Sequence, residues 1–540
     1  MSVFRRSSSA RGSDRDSAEA LPKRVPCGAT FRYYHFRSMS DIAKASLLRL
    51  IPATQRGGQA SRSAGAWIVP LGLVAMLAVV SSLAVVVGLD MALIASSLVV
   101  TGVVASAIAV RAPVLTIVLV VVLGQFTGHE WRLLFSEQLR TPMVAGIHVR
   151  HSDVAVLGVF VAIGVRLLLT DSTRVRQVLT QLMSLALLLF VLLISALRGI
   201  DDYGVVHAFG ELRTYYQPLL LIPYAIMSFR TADMRWRAFK VLAALALLLI
   251  PLSVLRGGIF NDFAIFGSGA GHGDRWFTAA GGLAMLVGVT ALVVGHHFRT
   301  SKAGGLKIIV ATVLFVALAL LNPHRSVWLA STVAATGLVV LRLVPLHRQI
   351  VTGLVVMLVA AAVFITAPQF VGEGVTVLGQ RAAAFTSPEA DPTTAWRIHL
   401  WSQALAEVRD QPILGIGLGR HFRFVDQAGH LITTSPHNFY ITLLLHAGAI
   451  GTTLFIMFAI STVATVFRAV RNEEADDRDR TVMLTALVSL MAMGAFFLAY
   501  SSEFAHLSWA VTGLGLSTAM SVRTRMSPVG HQRTRQPVQR

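Results

Sequence analysis

The chain has 540 residues, of which 54% are hydrophobic and 14% charged, with a formal net charge of +20. That balance is too apolar for a soluble globule of this length. The basic residues are scattered through loops and tails and not gathered on one surface, which argues for a membrane protein obeying the positive-inside rule and against a nucleic-acid binder. A single cysteine, Cys27, excludes an internal disulfide and any cysteine metal cluster.

Residues 1–66 are polar and Arg-rich, begin with no apolar core of the secretory kind, and read as a disordered basic cytoplasmic tail. Residues 67–522 read as one transmembrane domain. Its apolar runs, such as "WIVPLGLVAMLAVVSSLAVVV" and "LTALVSLMAMGAFFLAY", are long enough to cross ~30 Å of hydrocarbon as helices. They begin near residues 67, 91, 112, 153, 178, 217, 239, 277, 306, 326, 350, 438, 481 and 503; those near 112 and 217 are short. The expected fold is therefore all-α, a polytopic transmembrane bundle of about 12–14 helices. No run of short alternating strands points to a barrel. Residues 523–540 form a second basic tail.

With the first tail inside, alternate loops are cytoplasmic: "TDSTRVRQ", "FRTADMRWRAFK", "FRTSKAGGLK", "RLVPLHRQ" and "RAVRNEEADDRDR" all carry at least two Lys or Arg. Both termini then lie in the cytoplasm. Every lysine (Lys23, Lys44, Lys240, Lys302, Lys307) falls on that side, and the outer loops carry only arginine. Planar guanidinium groups grip phosphate oxygens in pairs, so the outer side suits a phosphate ligand. Snorkelling or pairing with acids such as Asp201, Asp202 and Asp274 is the plainer account of the same arginines.

The longest outer loop spans residues 368–436. Within it, "TTAWRIHLWSQALAEVRDQ" reads as an amphipathic helix with Trp396, Leu400, Ala404, Leu405 and Val408 on one face, stopped by Pro412 and lying along the membrane surface. The following "GIGLG" at 415–419 precedes no clear helix and reads as a turn.

The stretch "SPHNFYITLLLHAGAIG", residues 435–451, opens the next long helix. Ser435 suits an N-cap and Pro436 the first helical position, which puts His437 and Asn438 in the first turn. Unpaired N–H groups and the positive dipole end favour an anion there and disfavour a protonated histidine, so His437 stays neutral, as a general base must. At ~100° per residue Gly448 and Gly451 fall within about 40° of the His437 stripe and admit a neighbouring helix beneath it. His446 points to the opposite side and reads as a packing or surface residue. An interfacial histidine capping a membrane helix is also a common structural feature, so spacing alone leaves its role open.

These residues carry a resemblance. "HNFYITLLLHAGAIG" fits the His, Asn/Ser/Gln, nine residues, Gly, two residues, Gly signature of the O-antigen ligase and polymerase superfamily. "WRIHLWSQALAEVRDQPILGIGLG" is similar to its Arg, Trp, Pro-x-x-Gly-x-Gly stretch. "LNPHRSVWLA" resembles its "SRSAWLA", with His324 in place of the usual small residue. The resemblance spans roughly residues 275–455.

What it implies is a metal-independent membrane glycosyltransferase without a cofactor, acting outside the cytoplasm on a glycan carried by polyprenyl diphosphate. A lipid or glycan supplies the acceptor hydroxyl. Carried over by position, His437 is the base, Arg325 and Arg397 hold the diphosphate, and Arg275, Arg213 and Asn438 are further substrate contacts. Two guanidinium groups can stabilise a leaving diphosphate with no divalent ion, giving direct displacement with inversion. The full His-Asn signature leans toward a ligase; a polymerase joining lipid-linked repeat units shares the same donor chemistry. A transporter or lipid flippase is the competing class, but it calls for paired broken helices and mid-membrane charges, and the sequence has no internal repeat.

Overall fold

The structure, a computed structural model, describes residues 89–125, 143–144, 147–148, 150–260, 279–298, 324–343, 392–420, 422–425, 429–500 and 505–525. The predicted segments beginning near 67, 306 and 350, the first tail, residues 526–540 of the second and Arg275 lie outside the described residues; residues 523–525, expected in the second tail, instead complete the last helix.

The protein is a polytopic helical membrane protein. Helices α1 (Leu89–Arg111), α2 (Pro113–Gln125) and α3 (His151–Leu169) are followed by a short α4 (Ser172–Gln181), and a two-residue hairpin, β1 (Met143–Val144) with β2 (Ile147–His148), precedes α3. Then come α5 (Met183–Tyr203), α6 (Val205–Leu219), α7 (Leu221–Ser228), α8 (Ala232–Phe260) and α9 (Ala279–His297). The remainder comprises α10 (Arg325–Val340), α11 (Pro392–Asp410), the hairpin of β3 (Arg423–Val425) and β4 (Leu431–Thr433), α12 (Phe439–Val470), α13 (Asp477–Phe496) and α14 (His506–Arg525).

Among the described residues, five helical segments are long and apolar enough to cross a membrane: Ser152–Leu169, Met183–Tyr203, Ala279–His297, Phe439–Val470 and Asp477–Phe496. Most of the positions read from hydropathy are helical in the structure. Two differ in detail. The "TDSTRVRQ" loop is largely helix α4, which starts after Asp171 and buries Val178. The segment expected from residue 217 starts at Val205, because the polar "ELRTYYQ" continues the helix and finds partners inside the bundle; Pro218 then separates α6 from α7.

Helices α9, α13 and α14 are apolar or small all round and buried for most of their length, as the interior helices of a bundle must be. A side chain at Gly513 would meet the Ile222 backbone of α7 at 3.0 Å, so the small residue sets how closely α14 approaches α7. Helices α3 and α5 leave long apolar side chains such as Phe160, Leu168, Phe190 and Leu197 exposed, which in a membrane face lipid.

An aromatic cluster fixes the start of α12. Phe439 lies 4.7 Å from Phe497 and 4.8 Å from Phe455 between ring centroids, and Trp509 packs on Phe455, Phe458 and Phe497. At the far ends of these helices Arg235, only 2% exposed, faces Asp479 at 3.9 Å, and Arg525 meets the same carboxylate at 3.3 Å, tying α8, α13 and α14 together.

Candidate functional site

The entry to α12 departs from the sequence reading. Its N-cap is Asn438, and Ser435 lies outside the helix. The Asn438 side-chain oxygen accepts from the backbone N–H of Tyr440 (3.0 Å) and of Ile441 (3.1 Å), while its amide donates to Leu498 O at 3.0 Å. Phe439 N donates to Phe497 O and Tyr500 O. The expectation of unpaired N–H groups waiting for an anion is thus corrected: the end of α13 and the cap have taken them. Asn438 is 6% exposed, and its side chain is committed to the chain itself.

His437 stands just before the helix in the left-handed region, φ 51°, a conformation that costs a non-glycine residue on the order of 1 kcal/mol. The turn presents a half-buried imidazole whose Nε2 is 3.4 Å from Thr434 Oγ1. The loop behind it is anchored by Trp401, whose indole N–H donates to Pro436 O at 2.8 Å.

Helix α11 gathers the other candidates. It buries Leu400, Ala404 and Val408 against Leu445, Ile416, Phe422 and Phe424; Leu405, expected on that face, is 43% exposed, since five residues turn a helix well past the buried stripe. In its first turns Thr394 receives a hydrogen bond from Arg325 Nη1 at 2.6 Å, and the Trp396 ring lies 5.9 Å from that of His437. Arg397 follows directly and is half-buried. Three of the predicted residues, Arg325, Arg397 and His437, are therefore brought to one end of α11 from three separate parts of the chain.

Arg213 is elsewhere. It is 8% exposed on α6, 3.3 Å from Asp153 on α3, and the same carboxylate receives Gln217 at 2.6 Å.

The glycine stretch after α11 is not a surface turn. It inserts as an irregular ribbon of turns and bends into a break in α12 at Gly448, where φ is 62° and ψ −164°. The break frees backbone groups deep in the chain, and the ribbon takes them up. Ile416 N donates to Leu445 O (2.8 Å) and Gly417 N to His446 O (3.3 Å), while Ala449 N donates to Pro412 O (2.8 Å) and Ile450 N to Ile413 O (3.3 Å). Three alternating glycines with positive φ, at 415, 417 and 419, press against three helices. A Cβ there would lie 2.5 Å from Leu445 O of α12, 3.3 Å from Ser195 O of α5 and 2.7 Å from Ala208 N of α6. The expected common stripe of His437, Gly448 and Gly451 lapses, because His437 precedes the helix and Gly448 breaks it. Gly451 does face α5, near Val191 and Leu188.

Beneath the ribbon sits a polar cluster that the sequence reading did not single out. His446, 5% exposed, holds Nδ1 3.0 Å from Tyr215 Oη and Nε2 3.3 Å from Glu211 Oε2, and Gly419 N donates to Glu211 at 2.6 Å. Ser195 Oγ donates to His446 O at 2.6 Å. The available signal was in "ELRTYYQ": Glu211/Tyr215 and Arg213/Gln217 are two i, i+4 pairs, one face meeting His446 and the other Asp153. Among the described residues no group of three His, Cys, Asp or Glu side chains could hold a metal ion.

Arg325 and His437 thus each approach the first turns of α11, which carry Arg397, and a glycine ribbon is wedged into the broken helix α12. Residues 310–456 match the family model described as O-Antigen ligase, which bears out the resemblance to the O-antigen ligase superfamily. The matched region contains Arg325, Arg397, His437, Asn438 and the ribbon; Arg213 and Arg275 precede it. No curated protein matches the chain.

Proposed function

We propose that the protein is a glycosyltransferase of the ligase kind, moving a glycan from a polyprenyl diphosphate carrier to an acceptor hydroxyl on the outer face of the membrane. The observation that carries this reading is the convergence of Arg325 and His437 on the first turns of α11, beside Arg397, through the Arg325–Thr394 and Trp396–His437 contacts. The bundle ends that carry Arg235, Arg478, Arg480 and Arg525 are then cytoplasmic, in keeping with the positive-inside rule.

In this reading His437 removes the proton from the acceptor hydroxyl. The hydroxyl oxygen attacks the anomeric carbon, the bond from that carbon to the diphosphate oxygen breaks, and the configuration inverts. Arg325 and Arg397 receive the charge that develops on the departing diphosphate, which is where fixed donors accelerate a reaction most. Asn438 acts by fixing the turn that aims His437. Arg213, paired with Asp153, supports α6, and Arg275 remains a proposed diphosphate or sugar contact.

The test is surface-glycan analysis in cells whose native gene is replaced by His437→Ala, Arg325→Ala or Arg397→Ala, with protein level checked by blot. Loss of long surface glycan with accumulation of lipid-linked precursor supports transfer. Long precursors identify a ligase and single repeat units a polymerase. Wild-type glycan from all three well-expressed variants refutes the assignment.

A further inference from the structure

The acceptor hydroxyl that loses its proton must come within hydrogen-bond reach, about 3 Å, of an imidazole nitrogen of His437. The molecule bearing that hydroxyl then lies against whatever flanks the imidazole. Two of its neighbours are Thr434, whose hydroxyl is 3.4 Å from Nε2, and Trp396, with ring centroids 5.9 Å apart and planes inclined by 42°. Trp401, one turn and a half further along α11, is already spent on Pro436 O. Trp396 is half-buried.

Trp396 is also held in place before any ligand arrives. Its edge-to-face neighbour is Phe424 at 5.3 Å, and Phe424 is 1% exposed within the small core under α11. A wall fixed by packing costs no ordering when it is covered. Its chemistry suits one class of ligand. An indole face is electron-rich, and a pyranose ring presents a face of weakly positive C–H groups with its hydroxyls at the rim. A sugar laid on that face keeps its rim hydroxyls free to reach His437.

We infer that Trp396 is the stacking wall for the acceptor sugar, so that the attacking hydroxyl belongs to a pyranose whose apolar face covers the indole. This rests on His437 being the base. It adds Trp396, the residue directly before Arg397, to His437 and the two arginines, and it narrows the acceptor from any hydroxyl-bearing lipid or glycan to a sugar ring.

The experiment uses purified full-length protein in detergent and, as substrate, the lipid extract of cells deleted for the gene, titrated by dilution. Product glycan is read on gels to give a half-saturating extract concentration and a maximal rate. Trp396→Leu should raise the half-saturating concentration about tenfold while the maximal rate stays within about threefold, and Trp396→Phe should recover most of the loss. If Trp396→Leu does not fold, as judged by its thermal midpoint, Trp396→Met replaces it, since methionine fills the space without a π face.

An unchanged half-saturating concentration in the folded Leu or Met variant, with His437→Ala inactive, overturns the stacking wall and leaves the base intact. A lost maximal rate that phenylalanine does not recover also overturns it, because packing alone then explains the residue. Full activity of His437→Ala removes the base and the inference with it.

Discussion

Nε2 of His446 lies 3.3 Å from Oε2 of Glu211, joining the broken helix α12 to α6 directly under the glycine ribbon. A neutral imidazole donating from Nε2 and accepting the Tyr215 hydroxyl at Nδ1 satisfies both contacts. Glutamine can make an equivalent pair of hydrogen bonds; leucine leaves Glu211 and Tyr215 without this partner. His446→Leu is therefore expected to lower stability by on the order of 2 kcal/mol, and His446→Gln by clearly less. Thermal unfolding in detergent decides it, and equal losses from both variants would show that ring packing, not polarity, is what the site needs.

The ribbon depends on backbone meeting backbone. At Gly415 an added Cβ would be 2.5 Å from Leu445 O and 2.7 Å from Gly448 N, both fixed main-chain atoms, whereas at Gly429 nothing lies within 4 Å. Both glycines have positive φ. Gly415→Ala should abolish accumulation of folded protein, while Gly429→Ala costs only about 1 kcal/mol from its backbone conformation. Expression and size-exclusion profiles of the two variants separate a steric cause from a conformational one.

Asn438 performs two tasks that can be pulled apart. Asn438→Ala loses the cap and the link to Leu498, an expected cost of about 1–2 kcal/mol. Asn438→Asp keeps the cap but sets a carboxylate against the Leu498 carbonyl in place of a donor. Its stability should fall between wild type and alanine, and a value equal to wild type would mean that the Leu498 contact contributes nothing.

Arg325 tests geometry against charge. Its guanidinium donates to Thr394 through Nη1, 2.6 Å away, and as a planar fork a guanidinium can hold two oxygens at once where an ammonium cannot. Arg325→Lys keeps the charge and loses the fork. Long surface glycan should drop at least tenfold in the lysine variant if the fork is used for a diphosphate. Glycan at wild-type level would reduce the requirement to a point charge.

Burial pushes the Glu407 carboxyl above its ordinary range, with Arg420, 3.1 Å away, opposing. A carboxyl raised in the folded state favours folding below its unfolded pKa, and that contribution is lost as pH rises through the raised value. Replacing it by glutamine removes the effect. The thermal midpoint of Glu407→Gln should gain on wild type as pH rises from about 4 to about 7, and a gap that is constant across that range contradicts the direction.

The membrane class, most helix positions and the residues gathered at α11 were legible in the sequence because each leaves a local mark. Apolar length gives a spanning helix, Pro412 follows the end of α11, and the His-Asn and Arg-Ser patterns are short and contiguous. What tertiary structure decided were choices between options of nearly equal local energy. Ser435 and Asn438 rank alike as N-caps, and Asn438 takes the role where its amide also meets Leu498 O at the end of α13, 60 residues away. Gly448 in an apolar run reads equally as a contact point or a break. It is a break because Pro412, Ile413, Ile416 and Gly417 arrive from outside the helix to bond the backbone groups it releases. His446 looks like one more side chain on a membrane helix until α6 brings Glu211 and Tyr215 beside it. Composition and spacing set which segments are helices, but the partners that satisfy a freed N–H, a carbonyl or a buried imidazole come from distant chain, and only the fold brings them there.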